Sequence, residues 1–149
     1  MSLSNAAESH LLNLLFQNTN WANMGDATGV RGSSTANSFY VALHTADPGE
    51  AGDQTTSEAT YTGYARVAVA RSSGGWTVSG TAPTQVANAA VINFGPCSGG
   101  TNIITYFSIG LASSGASEIV CSGALSSSLT VSSGVTPTFA IGALIVTAD

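Results

Sequence analysis

The hydrophobic and polar positions change period once along the chain. In "SNAAESHLLNLLFQN", residues 4–18, Leu11, Leu12, Leu15 and Phe16 recur at intervals of three and four, and Leu14 widens the stripe. That spacing predicts one helix with an apolar face. Asn5 and Glu8 have the separation of a capping box, with Asn5 in place of Ser or Thr. The helix has to cover its stripe, against the domain's own sheet or against a neighbouring subunit. Residues 18–37, "NTNWANMGDATGVRGSSTAN", are rich in Asn, Gly and Ser and read as a long loop. A loop of that length in a compact domain is usually functional or ordered by a partner.

From Ser38 onward the period is two. "SFYVALH" sets Phe39, Val41 and Leu43 on one face and Tyr40, Ala42 and His44 on the other. "TYTGYARVAVAR" sets Tyr61, Ala65, Val67 and Val69 against Tyr64 and Arg66. "WTVSG", "NAAVINF", "NIITYFSIGLA", "EIVCSGAL", a weaker "SLTVSS" and "PTFAIGALIVTA" follow. Turn clusters such as "ADPGEAGDQ", "SSGG" and "GPCSGGTN" separate them. Short alternating runs at these intervals predict a mainly β chain: an antiparallel β-sandwich or jelly roll of about seven or eight strands, with one N-terminal helix. The expected division is an arm, residues 1–37, and a β domain, residues 38–149.

Composition changes the picture in one respect. Of the 149 residues 44% are apolar and only 7% charged, against roughly 25% charged in ordinary globular domains. Lysine is absent, and Arg31, Arg66 and Arg71 face eight acids for a net charge of −5. Nucleic-acid binders need clustered cations to replace phosphate counterions, so no nucleic acid is expected as a partner. An anionic membrane surface is excluded on the same ground, and no apolar run approaches the length of a membrane span. The start, "MSLSNAAESH", lacks the basic and apolar regions of a secretory leader, so synthesis in the cytoplasm is expected. Cys97 and Cys121 are too few for a disulfide framework; free, buried thiols are expected, with a bond between the two as the alternative. So uncharged a surface is best tolerated when much of it is buried in an assembly.

The candidate chemistry is thin. His44 stands at a strand end with Asp47 and Glu50 close behind, but the only other histidine is His10 and no ligand spacing supports a metal. The simpler reading is a histidine bonded to a backbone group beside an Asp47-Pro48-Gly49 turn. No serine lies in a Gly-x-Ser-x-Gly elbow. "SSGG" and "CSGG" lead into no helix and carry no lysine, so neither is a phosphate loop. Asp47, Glu50, Asp53 and Glu58 cluster in one segment and read as a solvated loop rather than a pair of facing carboxylates. No catalytic residue, metal ligand or cofactor is predicted. Trp21, Tyr40, Tyr61, Tyr64 and Trp76 remain as aromatic anchors for contact, with Tyr61 and Trp76 equally suited to the core.

Several of these segments resemble one family. They are the strand into Leu43-His44-Thr45-Ala46-Asp47-Pro48-Gly49, the Tyr64-Ala65-Arg66 segment, the strand ending near Gly110, and Gly142-Ala143-Leu144. Together they resemble small structural proteins of tailed bacteriophages and prophages, labelled capsid cement or tail fibre proteins. The resemblance implies a β subunit that works by binding, made in the host bacterial cytoplasm. The chain shows neither heptads nor fibrous repeats. The expectation is therefore a cement or decoration protein on the outer surface of the virion head, with a tail-associated module as the alternative. Its expected partners are the major capsid protein and sister copies, forming a homo-oligomer on the shell. Leu11, Leu15, Phe16, Trp21, Tyr40 and Tyr64 are the expected interface residues.

Overall fold

The computed structural model describes residues 3–22, 24–25, 32, 36–80 and 83–148. Arg31 and much of the predicted 18–37 loop lie outside the described residues. The fold is mainly β, with antiparallel sheets and, among the described residues, one helix. It divides into two compact units. One comprises Met1–Ser38, Ala70–Val91 and Phe139–Asp149, and the other Phe39–Val69 and Ile92–Thr138.

In the first unit, α1 spans Asn5–Gln17. Its N-cap is Ser4 rather than Asn5: the Ser4 hydroxyl accepts from Ala7 N at 3.3 Å. That moves Glu8 out of capping-box position. Glu8 points inward instead, and its carboxylate accepts from Thr84 N at 3.3 Å. The buried face is Glu8, Leu12 and Phe16, one residue per turn, with Leu11 and Leu15 on its flanks and partly exposed. The helix stops at Asn18, which takes a left-handed conformation (φ 56°) that asparagine tolerates better than most residues. The last turn of α1 contains no cation. Arg71 supplies one from a distant part of the chain, donating to Leu15 O at 2.5 Å and Leu14 O at 2.9 Å. A positive charge there satisfies free carbonyls at the negative end of the helix dipole.

The helix covers the sheet β3-β4-β9, formed by Trp76–Ser79, Thr84–Asn88 and Ile145–Ala148. Phe16 meets Trp76 edge to face, with ring centroids 4.9 Å apart, and Gln17 Nε2 donates to Trp76 O at 3.0 Å. β4 was not anticipated from the sequence. "TQVAN" holds a single large apolar residue, yet it is the central strand and buries Thr84, Val86 and Asn88 in strict alternation. Asn88 explains how a polar residue survives there. Its side chain donates to Ala90 O and Ala140 O and accepts from Leu144 N, at 2.7–2.9 Å.

The second unit holds the sheet β2-β1-β6-β7, formed by Val67–Ala70, Ser38–His44, Asn102–Gly110 and Ile119–Val131. A separate two-stranded sheet pairs β5 (Ile92–Asn93) with β8 (Thr138–Phe139). β1 buries Phe39, Val41 and Leu43 as the alternation requires, and also Ala42 and His44 on the opposite face. Residues 57–59 close over that second face: Thr45 N donates to Ser57 O, and Ala59 N to Leu43 O, both at 2.8 Å.

Several predicted strands are altered. "TYTGYARVAVAR" is a strand only over Val67–Ala70. Gly63 turns the chain with φ 101°, and Tyr61 folds inward to donate to Gly95 O at 3.0 Å. "NAAVINF" keeps two strand residues, and Ala90 lies outside the buried alternation. In β6 the predicted inward face, Ile103, Thr105, Phe107, Ile109 and Leu111, fails at both ends. Ile103 is 55% exposed and Leu111 51%, while Ile104 is fully buried. A register shift between Ile104 and Tyr106 exchanges the faces. "EIVCSGAL" and "SLTVSS" merge into one long β7. The α1 helix is neither long nor apolar enough to cross a membrane.

Candidate functional site

The densest polar chemistry lies in the second unit, where β1, β6 and the segment between β1 and β2 meet. It begins with His44 at the end of β1. Nδ1 lies 2.8 Å from Thr56 O, and Nε2 lies 2.8 Å from Ser108 Oγ. A carbonyl only accepts, so Nδ1 carries the proton and Nε2 accepts from the Ser108 hydroxyl. Burial holds the His44 pKa below its ordinary value, opposed by the bond to Thr56 and by the charge of Glu58. The ring is therefore neutral at pH 7.

A serine hydroxyl donating to a neutral histidine is the arrangement of an activated nucleophile. The surroundings argue against that use. Ser108 is 0% exposed, and its oxygen also accepts from Gln54 Nε2 at 3.2 Å. Gln54 is itself fully buried; it donates to Tyr40 O at 2.9 Å and accepts from Arg66 Nη1 at 3.2 Å. Its amide passes directly over Gly110, where a Cβ would stand 2.2 Å from Gln54 Cδ. Glycine is required there for that close approach.

Arg66 closes the network. Nε and Nη2 donate to the two oxygens of Glu58 at 2.6 and 2.8 Å. Nη1 also reaches Ala112 O at 3.1 Å, and Nη2 reaches Gly115 O at 2.8 Å. With Gln54 these contacts engage all five N–H donors of the guanidinium. Hydrogen bonding to Glu58 raises the arginine pKa further. The Tyr64 hydroxyl donates to Glu58 Oε1 and accepts from Leu43 N, both at 3.0 Å. Burial pushes its pKa well above the usual phenol range. Its ring stacks on Phe94 and meets Tyr61 edge to face.

A shallow cavity of about 280 Å³ lies against this cluster, lined by Glu58, Tyr64, Arg66 and the 113–115 loop. It offers a ligand no free cation, because every donor of Arg66 is already engaged. The arrangement is built to hold loops: Arg66 ties residues 112–115, and His44 ties the segment around Thr56. Among the described residues no group of three or more His, Cys, Asp or Glu side chains is placed to hold a metal ion.

The expected interface residues are dispersed. Phe16 is buried against Trp76 in the first unit, so its own core already uses that side chain. Leu11 and Leu15 are half-buried on the flanks of α1, and Trp21 stacks on His10 at 5.6 Å. Tyr40 and Tyr64 belong to the second unit and are partly exposed. Tyr64 joins the buried network through its hydroxyl, and Tyr40 through its backbone carbonyl alone. The sequence reading missed Gln54 and Ser108, and it took Glu58 for a solvated residue. The available signal was Arg66, one of three cations in the chain, set in an otherwise apolar run. Such a charge has to find an acid.

A family model described as podophage GP4 fiber I protein gp80 matches residues 2–147. No curated protein matches the chain.

Proposed function

From the membership of this chain in the podophage GP4 fiber I protein gp80 family, we propose that it is a structural component of a tailed-phage virion, associated with the tail fibre, acting by contact rather than by chemistry. The observation that carries the reading is the match across nearly the whole chain, residues 2–147. The family description names a fibre, so it favours the tail-associated alternative over the head-cement role expected from the sequence. The buried network supports a contact role. Its one nucleophile-like pair, Ser108 and His44, is sealed from substrate, and Arg66 is fully engaged in holding loops. A chain with 7% charged residues is also suited to burying much of its surface in an assembly.

The test is localisation. Gold-labelled antibodies against this chain, applied to intact particles, are expected to mark the tail. Labelling of the head shell would overturn the fibre assignment and restore the cement reading. Recovery of the chain only from infected-cell lysate, and never from purified particles, would overturn a virion role altogether.

A further inference from the structure

We infer that Ser108 and Gln54 are placed to join in an ester bond within the chain, with release of ammonia. Ser108 Oγ donates to His44 Nε2 at 2.8 Å, and Nδ1 of the same ring is held by Thr56 O at 2.8 Å. That is a hydroxyl beside a neutral, oriented base. Burial shuts out a substrate from solution: His44, Gln54 and Ser108 are each 0% exposed. It does not shut out a substrate built into the fold. Gln54 Nε2 lies 3.2 Å from Ser108 Oγ, so an acyl group stands beside the nucleophile. The neighbours fix which end of the amide is which. Tyr40 O can only accept, and takes a proton from Nε2 at 2.9 Å; Arg66 Nη1 can only donate, and meets Oε1 at 3.2 Å.

The structure holds the reactants, with the amide intact. Allowing for the amide C–N bond, Oγ stands roughly 4 Å from Cδ. A turn of the carboxamide about its last side-chain bond, a broad torsion, presents the face of Cδ to Oγ, and a shift of less than about 1 Å brings the two to attack distance. Gly110, two residues beyond Ser108 in β6, makes room for this: a Cβ there would stand 2.2 Å from Cδ. In the reaction Oγ bonds to Cδ while His44 Nε2 takes the hydroxyl proton. The negative charge that develops on Oε1 meets Arg66 Nη1, a donor already held in place by Glu58, Ala112 O and Gly115 O. His44 then passes the proton to Gln54 Nε2, the Cδ–Nε2 bond breaks with its electron pair on nitrogen, and ammonia leaves. One amide and one hydroxyl become one ester and one ammonia, with no water or further reactant. Ammonia diffuses away, and the dry surroundings protect the ester from hydrolysis. The bond would tie the segment after β1 to β6, across 54 residues of chain. The site is consumed once and turns over no external substrate, so the step adds to a contact role without replacing it.

The test is mass spectrometry of the purified full-length chain, incubated at neutral pH and then unfolded. The wild type is expected to be lighter than its sequence by about 17 Da, the mass of the one ammonia lost when the serine is acylated. Trypsin locates the loss. With no lysine in the chain it cuts after Arg31, Arg66 and Arg71, which places Gln54 in residues 32–66 and Ser108 in residues 72–149. These two peptides are expected to stay joined, and to separate on treatment with hydroxylamine. That measurement needs no variant to fold. Ser108→Ala and the nearly isosteric Gln54→Glu are expected to show their full masses and separate peptides. A wild type that keeps its full mass and yields separate peptides after prolonged incubation would overturn the proposal. So would a loss of ammonia traced to another residue, or one that persists in Ser108→Ala. None of these outcomes bears on whether antibodies mark the tail.

Discussion

Arg66 and Glu58 meet through two parallel hydrogen bonds of 2.6 and 2.8 Å, with side chains 2% and 18% exposed. The pair anchors two loops at once, because the same guanidinium holds Ala112 O and Gly115 O. Removing one partner leaves the other charge buried and unpaired, which typically costs about 3–5 kcal/mol. Arg66→Met and Glu58→Gln are each expected to lose stability on the lower side of that range. The double variant should lose less than the two singles together. Urea unfolding of the three proteins measures this, and strict additivity would show that the pair is not coupled.

His44 and the tyrosines predict a stability plateau with two shoulders. Burial disfavours the charged imidazole, so the folded pKa of His44 lies below the unfolded value of 6.5. As pH falls through 6.5 the unfolded chain takes up a proton that the folded chain refuses, and stability declines. On the alkaline side Tyr61 is pushed up to about 12 by burial, and Tyr64 is raised further still. The unfolded chain therefore loses its phenolic protons first, and stability falls above about pH 10. Denaturant midpoints measured from pH 5 to pH 11 should be flat in the middle and lower at both ends. His44→Gln should flatten the acid shoulder while leaving the alkaline one. An unchanged acid shoulder would place its origin elsewhere.

The fold class was legible because the inward face Phe39, Val41 and Leu43 survives in β1, and because the helical stripe of Leu11, Leu12, Leu15 and Phe16 is unambiguous. The details fail where side-chain bonding replaces apolar burial. β4 escapes a hydrophobic reading because Thr84 and Asn88 are buried polar residues, with Asn88 satisfied by backbone from residues 90, 140 and 144. The buried face of β6 changes after Ile104, where β7 sets four residues, 125–128, against Thr105, and no residue type in β6 announces that. Glu58 read as solvated because its partner lies beyond a Gly63 turn that looked like continuous strand. The buried cluster was half visible: His44 and Arg66 stood out as scarce charged or titratable groups, while Gln54 and Ser108 are of types too common here to single out.

Asn88 carries the second prediction about folding energy. It is 1% exposed and closes the turn that brings residues 140–144 back to β4. Asn88→Ala removes two donors and one acceptor and leaves Leu144 N and two carbonyls without that partner. Each buried unsatisfied group costs about 1–3 kcal/mol, so a total loss of about 3 kcal/mol is expected. Asn88→Asp should retain the bond from Leu144 N but lose both donations, and fall between the wild type and alanine. Thermal unfolding of the three proteins ranks them; an alanine variant as stable as the wild type would show that water replaces the amide.

Gly110 offers the most local test of the network. Its Cα–H faces the Gln54 amide so closely that an added methyl would stand 2.2 Å from Cδ, 2.3 Å from Oε1 and 2.7 Å from Nε2. Gly110→Ala therefore has to displace Gln54, and with it the bonds to Tyr40 O, Ser108 and Arg66. Overpacking of this kind costs about 1–3 kcal/mol. Because Gln54 N also donates to Ser117 O, amide exchange should quicken in the Gln54 and 112–117 segments ahead of the rest of the sheet. Shortening the obstructing side chain, in Gly110→Ala with Gln54→Ala, relieves the clash but leaves Arg66 one acceptor short. The double variant should thus lose about as much as Gln54→Ala alone, and less than the two single losses together. Full additivity of the two single losses would mean that Gln54 is not the group the methyl strikes.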